Sequence, residues 1–186
     1  MKRLIATAVL ALSAMLAHAE PAAPSIFDAK LPLVDQEGKS FELAKFKGQP
    51  MVMTMFYGNC KVACPMTLHA LHEWVDGLSQ QERDKLKVVM VSLDPAHDTP
   101  ASLVQVAGMH HLEGNPWVLA VTDASHTRTL SAMLDIRYRQ LADGEINHSM
   151  RLVLVDGQGA IVDATEDLQT LPDTAFSKHV RQMLGN

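Results

Sequence analysis

The sequence predicts an α/β domain whose central mixed sheet carries helices on both faces. Three observations lead there. MVMTMFY (residues 51–57) and KLKVVMVSL (85–93) are almost continuous apolar runs, the mark of strands buried on both faces. Each is followed by a stretch with apolar residues at helical spacing, and alternating strands and helices imply a covered sheet. The chain ends in a hairpin pattern and then a helix, which is how a thioredoxin-like fold ends. A further hairpin is added at the N-terminus.

The elements follow in order. In LPLVDQEGKSFEL (31–43), Glu37-Gly38 separates two short strand-like runs. Residues 51–57 form the first buried strand, bounded by Pro50 and Gly58. Its alternate Met51, Met53 and Met55 share one face and read as core filling rather than a methionine copper site. A helix follows over 65–78. Pro65 opens it, where a missing N–H costs nothing, and Leu68, Leu71, Val75 and Leu78 make its apolar stripe. After the strand at 85–93, Thr99 is the expected N-cap of a helix over 99–112, with Pro100 in its first turn. A third strand (116–122), a third helix (125–135), a hairpin turning at Asp156-Gly157 (149–165) and a closing helix (172–184) complete the set.

The N-terminus has the pattern of a secretory signal peptide: basic Lys2-Arg3, an apolar run over 4–16, and Ala17-His18-Ala19 as a small-x-small cleavage site. The run is shorter than the ~20 residues of a spanning helix. The expected division is a signal at 1–19, a flexible lead-in at 20–30 and one domain at 31–186. Cleavage would leave a mature chain for the periplasm or the outer face of the membrane. The signal carries two of the sixteen Lys and Arg residues and none of the twenty-one acids, so the mature net charge is −7. Nothing in that balance suits a nucleic-acid surface.

The chain has two cysteines, Cys60 and Cys64, with Pro65 directly after them. A disulfide persists in an exported protein. A domain of this size needs no staple, however, and so short a loop would stabilise little. With Cys64 expected at the helix N-cap and Cys60 in the preceding loop, the positive end of the helix dipole favours thiolates. Lys61 adds a charge beside them. Three residues separate the cysteines, one more than in thioredoxin-like redox motifs. Such a loop can close into a disulfide or hold two thiolates around an ion. Soft thiolates select Cu(I) or zinc, and an added imidazole brings in Cu(II). Two sulfurs under-coordinate a metal, so a third ligand is required.

Of the eight histidines beyond residue 19, His69, His72, His97, His110, His111, His126 and His179 read as helix or loop residues. His148 lies in DGEINHSM, ahead of the last hairpin, and in a thioredoxin-type fold that loop lies against the cysteine loop. Thioredoxin-like enzymes place a cis-proline there. This chain has no proline between Pro116 and Pro172.

With these residues in place, the chain resembles the Sco/SenC family of thioredoxin-fold copper chaperones. YGNCKVACP, VSLDPAHDTP and NHSMRLVLVDGQG carry the resemblance, which covers roughly residues 31–184. It implies that Cys60, Cys64 and His148 bind copper, as Cu(I) or Cu(II). It also implies delivery of that copper to the binuclear copper centre of cytochrome c oxidase subunit II, or to another copper-accepting protein, close to the membrane. Some members of the family are held to act as thiol-disulfide reductants of the receiving cysteines, and Cys60 and Cys64 would then be the redox-active pair. Asp94, in SLDP, matches an acidic family position near the site and equally suits a strand-end cap. Lys61 and Val62 depart from the family, which has proline and an acidic residue there; this favours the redox alternative. Many family members are membrane-tethered, whereas the pattern here is that of a released chain. A Cys₂His zinc site is a further reading. A thiol peroxidase is a third, weaker reading whose motif is absent: where its proline and its threonine or serine would stand, Met53 and Tyr57 precede Cys60, and Tyr57 and Lys61 precede Cys64.

Overall fold

The computed structural model describes residues 25–60 and 63–185, the side chains of residues 63–65 excepted. The expected signal at 1–19, the first part of the lead-in and Lys61-Val62 lie outside the described residues.

A seven-stranded mixed sheet forms the centre, in the order β2-β1-β5-β4-β3-β8-β9. Its parallel middle is β3 (Met51–Phe56), β4 (Lys87–Ser92) and β5 (Trp117–Val121). The N-terminal hairpin, β1 (Leu33–Asp35) and β2 (Ser40–Phe41), adds antiparallel to β5. The C-terminal hairpin, β8 (Leu152–Val155) and β9 (Ile161–Thr165), adds antiparallel to β3. Every residue of β3 and β8 is buried, so both faces of the sheet are covered there. This is the thioredoxin-like α/β fold predicted from the sequence. Met51, Met53 and Met55 are core residues.

The helices are α1 (Ala63–Asp76), α2 (Gln80–Lys85), α3 (Pro100–Met109), α4 (Ala124–Met133) and α5 (Ala175–Gly185). The expected stripe of α1, Leu68, Leu71, Val75 and Leu78, is buried, and Trp74 packs on Phe176 of α5 with ring centroids 6.4 Å apart. Thr99 caps α3 as expected, accepting from the Ser102 N–H. Helix α1 starts two residues earlier than expected. Cys64 therefore sits inside its first turn instead of at the N-cap, which Pro65 permits because first-turn N–H groups need no helical partner. The expected lead-in is ordered from Ile26–Ala29, a 3₁₀ turn that buries Ile26 and Phe27. Gly159 accepts this close approach: a Cβ there would lie 2.5 Å from Phe27 Cδ2.

Two elements are additions to the sequence reading. Helix α2 starts at a capping box, with Ser79 and Glu82 satisfying each other's backbone N–H. A separate two-stranded sheet, β6 (Tyr138–Gln140) and β7 (Ile146–His148), occupies what reads in the sequence as a loop. Among the described residues no helix is long and apolar enough to cross a membrane.

Candidate metal centre

The site forms where β3 and β4 end side by side, the edge at which α/β sheets hold ligands. Beyond β3 the chain turns over Tyr57, Gly58, Asn59 and Cys60, and the Cys60 N–H donates to the Tyr57 carbonyl at 3.3 Å. It then enters α1, whose first turn contains Cys64. Cys60 is half-buried against the core.

An aspartate behind the turn fixes its position. Asp98 is buried beyond the end of β4, and its Oδ2 accepts from the Gly58 N–H at 3.0 Å and from the Ser92 hydroxyl. Gly58 is needed for this approach, because a Cβ there would stand 2.5 Å from Asp98 Oδ1. The cysteine turn is thus tied to the end of β4. Asp94 lies in the same loop, and its N–H donates to the Ser92 hydroxyl at 2.9 Å. Its two carboxylate oxygens are both 2.9 Å from His97 Nδ1. Its backbone carbonyl accepts from the His97 and Asp98 N–H groups, so Asp94 organises the turn after β4. Asp94 and Asp98 also line a cavity of about 510 Å³ shared with Tyr57, Gly58 and Asn59.

His148 arrives from the other side. Strand β8 runs antiparallel to β3, so the segment before it returns to the edge where β3 ends. The Thr54 hydroxyl donates to the Arg151 carbonyl at 2.8 Å and holds that segment down. His148, at the end of β7, turns its ring edge-on to Tyr57 with centroids 6.0 Å apart. Its Nδ1 lies 3.1 Å from the Ser149 carbonyl. A carbonyl only accepts, so Nδ1 carries the proton and the lone pair of the neutral ring is on Nε2. Burial lowers the pKa of His148, with the Ser149 carbonyl opposing it weakly. A neutral imidazole whose Nδ1 proton is held by a carbonyl, with the donor lone pair on Nε2, is the state a metal needs.

Tyr57 joins the two sides and was not legible as a site residue. Its hydroxyl donates to Glu145 Oε2 at 2.6 Å and accepts from the Ile146 N–H at 3.4 Å. Burial raises its pKa most; the Glu145 bond and the nearby Cys60 thiol raise it further. One buried phenol therefore touches the cysteine turn, the strand that carries His148 and the ring of His148. The signal was a tyrosine three residues before the first cysteine at the end of a buried strand: a buried phenol seeks a polar partner.

The structure thus brings Cys60 and His148 to Tyr57 from its two sides, and the Cys64 backbone lies in the first turn of α1. The Cys64 thiol lies outside the described side chains. Among the described residues, no group of three His, Cys, Asp or Glu side chains could hold a metal ion. Several other histidines pair with carboxylates: His97 with Asp94, His126 with Asp123 and His179 with Asp163.

Comparisons with known proteins agree with this architecture. A family model described as SCO1/SenC matches residues 19–184. The mitochondrial protein SCO2 of Saccharomyces cerevisiae is 26% identical over 141 residues, which is 71% of this chain and 45% of that relative. The chain thus spans less than half the length of that curated relative. The copper-bound structure of Bradyrhizobium japonicum ScoI superposes with a TM-score of 0.70 at 21% identity, covering 82% of this chain and 96% of that one. The structure of BsSco, described as a member of the Sco family of cytochrome c oxidase assembly proteins with a disulfide switch, superposes with a TM-score of 0.73 at 18% identity. It covers 89% of this chain and 96% of that one.

Proposed function

The chain belongs to the SCO1/SenC family, and from that premise we propose that it is an exported copper metallochaperone. Copper is its cargo, held by the thiolates of Cys60 and Cys64 and the Nε2 of His148, and delivered in the periplasm to the binuclear copper centre of cytochrome c oxidase subunit II. The observation that carries this reading is the convergence of Cys60 and His148 on Tyr57, with His148 neutral and its Nδ1 proton directed at the Ser149 carbonyl. Two soft thiolates and one imidazole are a donor set suited to Cu(I), and transfer to partner thiols then proceeds by ligand exchange. Copper in the similar ScoI structure and the assembly role given for BsSco support it.

The test is transfer. Copper-loaded protein is mixed with the soluble copper-binding domain of subunit II, and copper on each is measured after separation. The expected result is net movement of copper onto the acceptor thiols. Copper that stays on the donor while the acceptor is reduced and empty would sink the delivery role.

A second reading has its own support. The cysteines flank the start of α1, where unpartnered N–H groups stabilise a thiolate, and the similar BsSco carries a disulfide switch. In this role Cys60 attacks a partner disulfide and Cys64 resolves the mixed disulfide. Metal-free reduced protein should then reduce the acceptor, and Cys64→Ser should trap a covalent adduct.

A further inference from the structure

Among the described residues, soft ligands also gather away from the cysteine turn. A cavity of about 440 Å³ opens beside α1, and Met66, His69 and Met150 all line it. Met66 and His69 are three residues apart on α1 and so lie on one face of the helix. Met66 is 63% exposed and Met150 is 37% exposed, where an apolar side chain gains little from burial. Met150 is nevertheless held: the Thr67 hydroxyl donates to its sulfur at 3.0 Å. The rim carries Glu73, Glu166 and Asp167. Two thioethers and an imidazole thus face one cavity inside an acidic rim. Thioethers select Cu(I) over the harder ions of an oxidising compartment, and Glu73 and Asp167 offset the charge that neutral ligands leave in place, Glu166 being paired with Arg151. The cavity also touches the primary site in sequence. Met66 follows Cys64 by two residues, and Met150 follows His148 by two.

We propose that Met66, His69 and Met150 form a second, weaker cuprous site, a loading position from which copper passes to Cys60, Cys64 and His148. The passage rests on the metallochaperone reading above; binding at the cavity does not. In the passage copper remains Cu(I). Its bonds to the thioethers and to His69 break, bonds to two thiolates and His148 form, and two thiol protons leave to water. The direction follows from ligand strength, since charged thiolates hold Cu(I) more tightly than neutral thioethers.

The test removes the primary site and uses a redox-inert probe. The full chain carrying Cys60→Ser and Cys64→Ser is labelled at its methionine methyl groups and titrated with Ag(I), read by NMR. The Met66 and Met150 methyl signals, assigned with M66L and M150L, should shift together and saturate at one equivalent. His69→Gln should weaken the response. Met109 is 66% exposed and lines the other cavity, so its signal should stay in place. Still Met66 and Met150 signals in a folded protein, or equal movement of all three exposed methionines, would overturn the proposal. If the cysteines proved to bind no copper, the methyl response would be unaffected. If wild type bound one Cu(I) while these methyls stayed still, only the second site would fall.

Discussion

Replacing Tyr57 with phenylalanine removes one oxygen atom and tests how the site is held. That oxygen donates to Glu145 at 2.6 Å and accepts from the Ile146 N–H at 3.4 Å, in a buried position. A hydrogen bond to a charged group contributes about 1.5–3 kcal/mol. Near 2–4 °C per kcal/mol for a domain of this size, the melting temperature of the reduced, metal-free protein should fall by about 3–12 °C. A second effect is specific to the site. Glu145 precedes Ile146–His148, so its release loosens the strand that presents the imidazole, and loss of such outer-shell support weakens metal binding by about 10–100-fold. Thermal unfolding and competition for Cu(I) with a chelator measure the two effects. Unchanged copper affinity in the variant would refute the argument that Tyr57 couples the cysteine turn to His148. An unchanged melting temperature would refute the hydrogen-bond accounting.

Three further outcomes follow from the same geometry. His148 should titrate below its usual value because burial disfavours its charged form. Its neutral state therefore contributes stability that is fully present above about pH 6.5, the unfolded value, and is lost as pH falls towards the folded pKa. Proton NMR of the metal-free protein reads that pKa; a normal or raised value would contradict the burial argument. Gly58→Ala should cost about 1–3 kcal/mol in urea unfolding, because the new methyl meets Asp98 Oδ1 and detaches the carboxylate from the turn. A neutral effect would show that the turn does not need this contact. Met53→Leu should leave copper binding unchanged and cost less than about 1.5 kcal/mol, as a volume-conserving core exchange does; lost copper would revive a methionine site in β3.

Much of this was legible because the signals are local. The continuous apolar run of β3, the stripe of α1 and the Thr99 cap of α3 each lie within a few residues of sequence, and each is present in the structure. That Cys60 and His148 approach one another was expected from position in the fold, and both lie against Tyr57; their role as copper ligands is the proposal. The missing parts depend on distance or brevity. Asp98 reaches Gly58 across 40 residues, and Tyr57 reaches Glu145 across 88. No window of sequence contains either pair. Strands β6 and β7 are three residues each, mostly polar and half-exposed, too short to show alternation. Helix α2 did leave a signal, Ser79 with Glu82, but its six residues carry no apolar stripe.

The central claim is that His148 completes a copper site begun by Cys60 and Cys64. Anaerobic titration of the reduced full chain with Cu(I), against a chelator of known affinity, tests it most directly when run beside His148→Ala. The account predicts one copper per chain in the wild type and markedly weaker binding in the variant. Equal affinity in the two proteins would contradict it.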